Sequence, residues 1–169
     1  MLRQIEESDL PLFLEWRNQL MKYFRQYRYL TPYDQAKWYS ELVEDPNRFM
    51  FSIWNDGQLV GCCGLKVDRH NRSGEVSIFL GSPKVGNDPV YLDEKVAPLA
   101  LKDLMAYGFD ILGLHRIWAE VFDYDIKKAK LFEDAKMKIE GALRENYFKL
   151  GKWVDSTIYG LLETEWRSA

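Results

Sequence analysis

The stretch Phe49-Met50-Phe51-Ser52-Ile53-Trp54-Asn55-Asp56-Gly57, continued by Gln58 to Val67, reads as a hairpin. Phe49, Phe51 and Ile53 alternate with Met50, Ser52 and Trp54, the period of two expected of a strand. Asn55-Asp56-Gly57 supplies the turn, and Gln58 to Val67 returns as the second arm. Upstream the period changes. Leu10, Phe13, Leu14, Leu20, Met21 and Phe24 recur at helical spacing, with Arg17 the one polar break in the stripe. Ser8 or Asp9 caps this helix, and residues 2–5 read as a short strand before it. Thr31-Pro32 opens a second helix that carries Ala36, Trp38, Tyr39, Leu42 and Val43. Downstream, Glu75 to Leu80 is a strand and Gly81 to Asp93 is irregular. A helix then runs to about Leu112 and ends at Gly113. Arg116 to Phe122 alternates. Asp123 or Asp125 caps a short helix to about Lys136, and Ile139–Phe148 and Trp153–Leu162 close the chain as a hairpin. The order β-α-α-β-β-β-α-β-α-β-β implies an α/β (α+β) architecture, a mixed sheet with helices on both faces.

The 169 residues suit a single domain spanning 1–169. Apolar residues at 47% and charged residues at 29% are those of a globular protein rather than a disordered one. A formal net charge of −3 argues against a general nucleic-acid binder, which needs a basic face. Cys62 and Cys63 are adjacent, so in a strand they face opposite ways and form no ordinary disulfide. His70 and His115 complete no zinc spacing, and no metal is expected. The start of the chain has no basic segment leading into an apolar run, and no stretch approaches ~18 apolar residues. The expectation is a cytoplasmic protein without a membrane segment. Aromatic residues make up 15% of the chain, enough to ask whether some line a ligand groove instead of the core.

Several spaced motifs then agree in order and distance. They are Leu114-His115-Arg116-Ile117 with Ala119-Glu120-Val121, Ile139-Glu140-Gly141-Ala142-Leu143-Arg144-Glu145, Phe148 to Asp155, and Gly160-Leu161-Leu162-Glu163-Thr164-Glu165-Trp166, with Trp16-Arg17-Asn18 near the start. Together with the element order they resemble the GNAT N-acetyltransferases, most closely the RimJ/RimL type, over essentially the whole chain. The resemblance implies transfer of acetyl from acetyl-CoA to a primary amine, with acetyl-CoA as co-substrate lying in a V-shaped opening between the fourth and fifth strands. Family dimers are common, so a homodimer is compatible with it.

On that resemblance, Phe79, Leu80 and Gly81 align the acetyl-CoA arm, through backbone N–H groups if a bulge splays the strand. The family's pyrophosphate motif, Arg/Gln-x-x-Gly-x-Gly/Ala, falls on Leu92-Asp93-Glu94-Lys95-Val96-Ala97, where only the final Ala fits. Pro98 belongs in the first turn of the helix, so the backbone of Lys95, Val96 and Ala97 is the expected anion site. Gly81, Lys84 and Gly86 are an alternative. Asp93 and Glu94 also suit a helix N-terminus and would repel a pyrophosphate. The family's Asn and Tyr on the next helix correspond to Asp125 and Phe132, and Phe has no proton for the departing thiolate. Tyr124 is the nearest alternative acid, and Glu75 is the candidate base for the ammonium of the acceptor.

The acceptor is expected among the aromatic and basic residues 24–38, with Arg25, Tyr27, Arg28, Tyr33 and Trp38 as the substrate-binding set. The Lys127, Lys128, Lys130, Lys136 and Lys138 run reads as a solvated helix face, with contact to a CoA phosphate as the alternative. The expected activity is N-acetylation of a small amine such as a nucleotide-linked amino sugar. The alternatives are a protein N-terminal acetyltransferase and a catalytically impaired binding protein of the same fold.

Overall fold

The computed structural model describes residues 1–81 and 91–168. The hairpin of residues 49–67 is there: β2 (Arg48–Asn55) pairs antiparallel with β3 (Gln58–Asp68), Phe51 opposite Cys63 and Ser52 opposite Cys62. Asp56 and Gly57 take positive φ (48° and 76°) in the turn, which the Asp-Gly pair accommodates. β1 (Leu2–Gln4) adds to β2, and β4 (Ser73–Leu80) to β3. β5 (Arg116–Phe122) lies parallel to β4, and β7 (Lys152–Leu162) and the edge strand β6 (Lys138–Lys149) follow antiparallel. The sheet has seven strands in the order β1-β2-β3-β4-β5-β7-β6.

Helices cover both faces, and the two cysteines show how the chain divides them. Cys62 packs with Phe13 and Trp16 of α1 (Leu10–Gln19) and Leu42 of α2 (Pro32–Glu44). Cys63 packs on the other face with Ala100, Leu101 and Leu104 of α3 (Val96–Ala106). Both thiols are free and buried, and burial pushes each above its ordinary pKa, Cys62 to about 12. A π-helical turn, Tyr107–Ile111, extends α3 before Gly113 reverses the chain at φ 63°. α4 (Ile126–Asp134) follows β5, and a four-residue helix, α5 (Glu163–Trp166), which the sequence reading did not anticipate, ends the fold. None of the described helices is long and apolar enough to cross a membrane.

Asp9 does not cap α1 as a simple N-cap. It closes the preceding turn by accepting from the Glu6 amide (3.1 Å), and its buried carboxylate also accepts from the Ser52 hydroxyl of β2. α2 starts as expected. Thr31 and Asp34 form a capping box, Asp34 N to Thr31 Oγ1 at 3.3 Å and Thr31 N to Asp34 Oδ2 at 2.8 Å.

Gly64 sits where β2 and β3 press together: a Cβ there would meet the Phe49 carbonyl oxygen, Met50 Sδ and, at 2.9 Å, Met50 Cα. Gly64→Ala is therefore expected to destabilise by about 1–3 kcal/mol, lowering Tm by roughly 2–12 °C. Gly141→Ala, with nothing within 4 Å of the new methyl, should melt with the wild type. Thermal unfolding followed by circular dichroism compares the two.

Candidate active site

The parallel pairing of β4 with β5 lasts only for Ser73, Gly74 and Glu75, opposite Arg116, Ile117 and Trp118. Beyond that each strand keeps its antiparallel partner, β4 with β3 and β5 with β7, and the two diverge. The β3–β4 register runs unbroken from Asp68↔Ser73 to Gly61↔Leu80. The bulge expected near Phe79 and Leu80 is absent, and the opening comes from strand divergence instead. It leaves the β5-facing backbone of Val76–Leu80 without a strand partner, beside a cavity of about 190 Å³ lined by Ser77 and Ile78 on one wall and Glu120 and Phe122 on the other.

A second cavity, about 320 Å³, lies on the α1/α2 face, bounded by Phe13, Trp38, Met50 and Phe79. Arg17, Phe24, Glu75, Val76 and Ser77 line both cavities, so the two meet at the mouth of the β4–β5 opening.

Glu75 stands at that junction. Its Oε1 accepts from Arg25 Nη1 (3.1 Å), while Arg25 Nη2 donates to Glu120 Oε2 (2.7 Å). Glu120 is held in turn by Ser156 Oγ (2.6 Å) and Asn146 Nδ2 (2.8 Å) on Oε1. Arg25 thus bridges two carboxylates across the opening. Its guanidinium also lies over Tyr147, 5.6 Å from the ring centroid. The segment that carries Arg25 is pinned. Asn18 Oδ1 accepts from Leu30 N (2.8 Å) and Gln26 Nε2 (3.0 Å), and Lys149 of the β6–β7 hairpin donates to the Gln26 carbonyl (2.7 Å).

The N-terminus of α4 forms the far wall. Asp125, 2% exposed, caps the helix at Lys128 N (3.2 Å) and accepts from Tyr91 Oη (2.7 Å). The Tyr91 ring stacks on Tyr23 (3.9 Å, 2°). Burial and the Asp125 carboxylate hold the Tyr91 phenol far above its ordinary pKa, fixing it as a neutral donor. Lys128 points inward, its Nζ 3.6 Å from Asp125 Oδ2, and burial lowers its pKa against the opposing pull of Asp125. It is the exception in the lysine run, in which Lys127 and Lys130 are partly or wholly exposed.

The candidate residues now divide. Glu75, Arg25, Asp125 and Phe132 line the first cavity, and Trp38 and Phe79 line the second. Phe132 is 1% exposed and packs into the main core. Phe79 packs edge-on against Phe13 and Phe24, on the α1 face and not in the β4–β5 opening. Leu80 is buried in the main core. Gly81 donates its N–H to Val60 O (3.0 Å) and pairs with Tyr91, and a side chain there would strike the Trp16 ring. Lys84 and Gly86 lie outside the described residues.

Four expectations are corrected. The N–H groups of Lys95, Val96 and Ala97 are not open to an anion: Asp93 Oδ1 takes the first two (2.9 and 3.0 Å) and the Asp93 carbonyl the third (2.9 Å). The acidic residue expected to compete with a pyrophosphate has the site. Tyr124 lines neither cavity; its hydroxyl donates to the Lys22 carbonyl, its ring stacks on Phe122, and burial pushes its pKa up to about 12. Arg28 is spent on Asp34, a bidentate pair (2.8 and 2.7 Å) that holds this carboxyl well below the usual range. Tyr27 and Tyr33 are 65% and 75% exposed and line neither cavity; Tyr27 lies under Lys149.

The sequence reading missed Glu120 as a wall residue of the first cavity, took Lys128 for part of a solvated face, and missed Arg48 and Lys66 around the second cavity, which Gln35 of the expected acceptor segment does line. It noticed Arg17 as a break in an apolar stripe and as part of the Trp16-Arg17-Asn18 motif, without giving it a role at the site. That break was the usable signal, because a charged residue on a buried helix face needs a reason.

Known proteins share this architecture. The family described as "Acetyltransferase (GNAT) domain" matches residues 1–138. An uncharacterized N-acetyltransferase p20 of Bacillus licheniformis is 25% identical, over 98% of this chain and 93% of its own. The spermidine N(1)-acetyltransferase of Escherichia coli strain K12 is 24% identical, over 90% of this chain and 80% of its own. A crystal structure of spermidine N-acetyltransferase from Vibrio cholerae, in complex with CoA and spermine, superposes with a TM-score of 0.87 at 23% identity, covering 99% of this chain and 97% of that one. The chain belongs to the GNAT acetyltransferase family, N-acetyltransferases whose co-substrate is acetyl-CoA.

Proposed function

We propose that the chain is a single cytoplasmic N-acetyltransferase domain, acting alone or as a homo-oligomer, that acetylates the primary amine of a small molecule. The observation that carries this reading is the meeting of two cavities at Glu75, one in the β4–β5 opening for acetyl-CoA and one under α1 and α2 for the acceptor. The RimJ/RimL likeness of the sequence offers a protein N-terminus as acceptor. A cavity of about 320 Å³, closed by Trp38 and Phe13, suits a small molecule better than a peptide. The spermidine acetyltransferases among the relatives replace the nucleotide-linked amino sugar with a polyamine as the first amine to assay.

In this reading an alkyl ammonium with pKa ~10.4 gives its proton to Glu75, directly or through one water. Glu75 Oε2 has no hydrogen bond among the described residues and is the oxygen available for it. The freed nitrogen attacks the thioester carbonyl, and the unpartnered backbone of Val76–Leu80 is placed to donate to the developing oxyanion. The C–S bond then breaks, its electron pair leaving on sulfur, and the nitrogen, cationic after bond formation, loses its second proton to the departing thiolate or to water. With Phe132 apolar and Tyr124 turned to Lys22, no hydroxyl is assigned to the leaving thiolate; Lys128 in the cavity wall supplies positive charge to it. A thiolate whose conjugate acid has pKa ~8.5 departs without a strong acid.

Glu75→Gln is expected to lower kcat at neutral pH by roughly 10²–10⁴-fold. The deficit should shrink as pH rises toward the amine's own pKa, and acetyl-CoA binding should persist. A thiol-release assay across pH, beside calorimetric titration with acetyl-CoA, reads all of this, and an unchanged kcat removes Glu75 from the reaction.

Asp93 gives a second test. Asn caps a helix as well as Asp does but carries no charge. If the pyrophosphate docks near the start of α3, Asp93→Asn relieves a like-charge repulsion of about 1 kcal/mol and tightens CoA binding roughly three- to tenfold, with Tm unchanged. Equal affinities would put the pyrophosphate elsewhere.

A further inference from the structure

The second cavity is charged in a way that polyamine binding does not explain. Arg48 of β2 lies opposite Lys66 of β3, and Lys66 lies opposite Glu75 of β4. Directly opposed residues share a face of the sheet, so Arg48, Lys66 and Glu75 form one row on the α1/α2 side. Like charges in direct register repel. Glu75, the acidic member of the row, already pairs with Arg25. Among the described residues neither Arg48 nor Lys66 forms an ion pair.

Above the row, α1 adds Arg17, which also forms no ion pair among the described residues and whose buried Nε has no hydrogen-bond partner. Its guanidinium lies over Phe24, 5.5 Å from the ring centroid. Burial lowers its pKa from the ordinary arginine value. α2 contributes Gln35, 3% exposed, whose Oε1 is buried without a partner. A buried guanidinium Nε and a buried amide oxygen left unsatisfied in the wall of one cavity are costly unless something enters to meet them. What satisfies Arg17, Arg48 and Lys66 together is an anion, and Gln35 Oε1 asks for a donor beside it.

We propose that this cavity selects an acceptor with two ends: a primary amine held toward Glu75, and an anionic arm, carboxylate or phosphate, held by Arg17, Arg48 and Lys66. This inference rests on the acetyl-transfer reading above. It sets the acceptor apart from spermidine, whose further ammonium groups would face three cations. Arg48 stacks on Trp38 (5.8 Å), so the arm enters past an aromatic wall that also receives the apolar part of the molecule.

The experiment is calorimetric titration of the intact chain, in the presence of CoA, with matched amines: ethanolamine against phosphoethanolamine, glucosamine against glucosamine 6-phosphate, β-alanine as the carboxylate, and spermidine. The expected result is at least tenfold tighter binding of the anionic member of a pair than of its neutral partner or of spermidine. Whether β-alanine or the phosphates gain more identifies the arm. Arg48→Gln, half-buried on a strand face, and Arg17→Gln should each erase most of the anionic advantage while leaving the neutral amines no tighter than before. Spermidine binding as tightly as the anionic amines overturns the proposal, as does their failure to bind, or an anionic preference that survives both substitutions. Acetyl-CoA titrated alone keeps the two levels distinct: if it does not bind, the acetyl-transfer reading itself has failed.

Discussion

The parallel pairing of β4 and β5 over three residues is the constraint from which the site follows. Every other neighbouring pair in the sheet is antiparallel. A parallel pair needs a crossover, here α3 and its π-helical turn, packed on the face that carries Cys63, Leu65 and Ile78. Beyond Glu75 and Trp118 each strand follows its own antiparallel partner, whose pairing is the stronger, and the seam opens. Backbone groups that a continuous sheet would consume are thereby released at a place with side chains on both banks. A site made this way needs no catalytic loop, and it places Glu75 where the strands part.

The banks are tied across the opening by Arg25 and lined by charge networks whose members differ in how completely they are satisfied. Glu120 receives Ser156, Asn146 and Arg25, and Asp125 receives Tyr91, Lys128 N and the Lys128 ammonium. Carboxylates so surrounded fix geometry, because removing one partner would leave a poorly solvated charge behind. Arg17 and Gln35 are the opposite case, buried polar groups with atoms unmet. Gln26 Oε1 and Asn146 Oδ1 are buried without partners as well, but unlike Arg17 and Gln35 they do not line the second cavity.

The element order and the opposite facing of Cys62 and Cys63 were legible because they depend on periodicity and turn chemistry, which are local, whereas Glu75 was singled out by the family resemblance. The failures share a cause. The Lys95–Val96 amides and Arg28 were each read for what they could offer a ligand, and each is consumed a few residues away, at Asp93 and at Asp34; that Asp93 suits a helix N-terminus was legible. Tyr27 and Tyr33 were assigned because the resembled fold places its acceptor beside the first two helices, which gives the region but not which of its aromatics turn outward. Tyr124 meets Lys22, 102 residues away in the chain, a contact no local pattern reports. Arg17 was visible as an anomaly, yet its meaning required the register that sets Arg48 beside Lys66.

That register also explains how one scaffold serves different acceptors. Positions 48, 66 and 75 form a row across three strands, and their side chains project from the sheet without contributing to its backbone pairing. A change of charge along such a row alters the cavity while leaving the hydrogen-bond ladder, the β4–β5 divergence and the α3 crossover in place. Acceptor selectivity is a difference between affinities, and repulsion contributes to it as much as attraction. A Glu75 that draws an amine, followed along the same row by two cations, admits a molecule whose charge reverses along its length and opposes one whose charge does not. Membership of the GNAT family carries the transfer chemistry across, while fold similarity leaves the acceptor to be read from the side chains of the row.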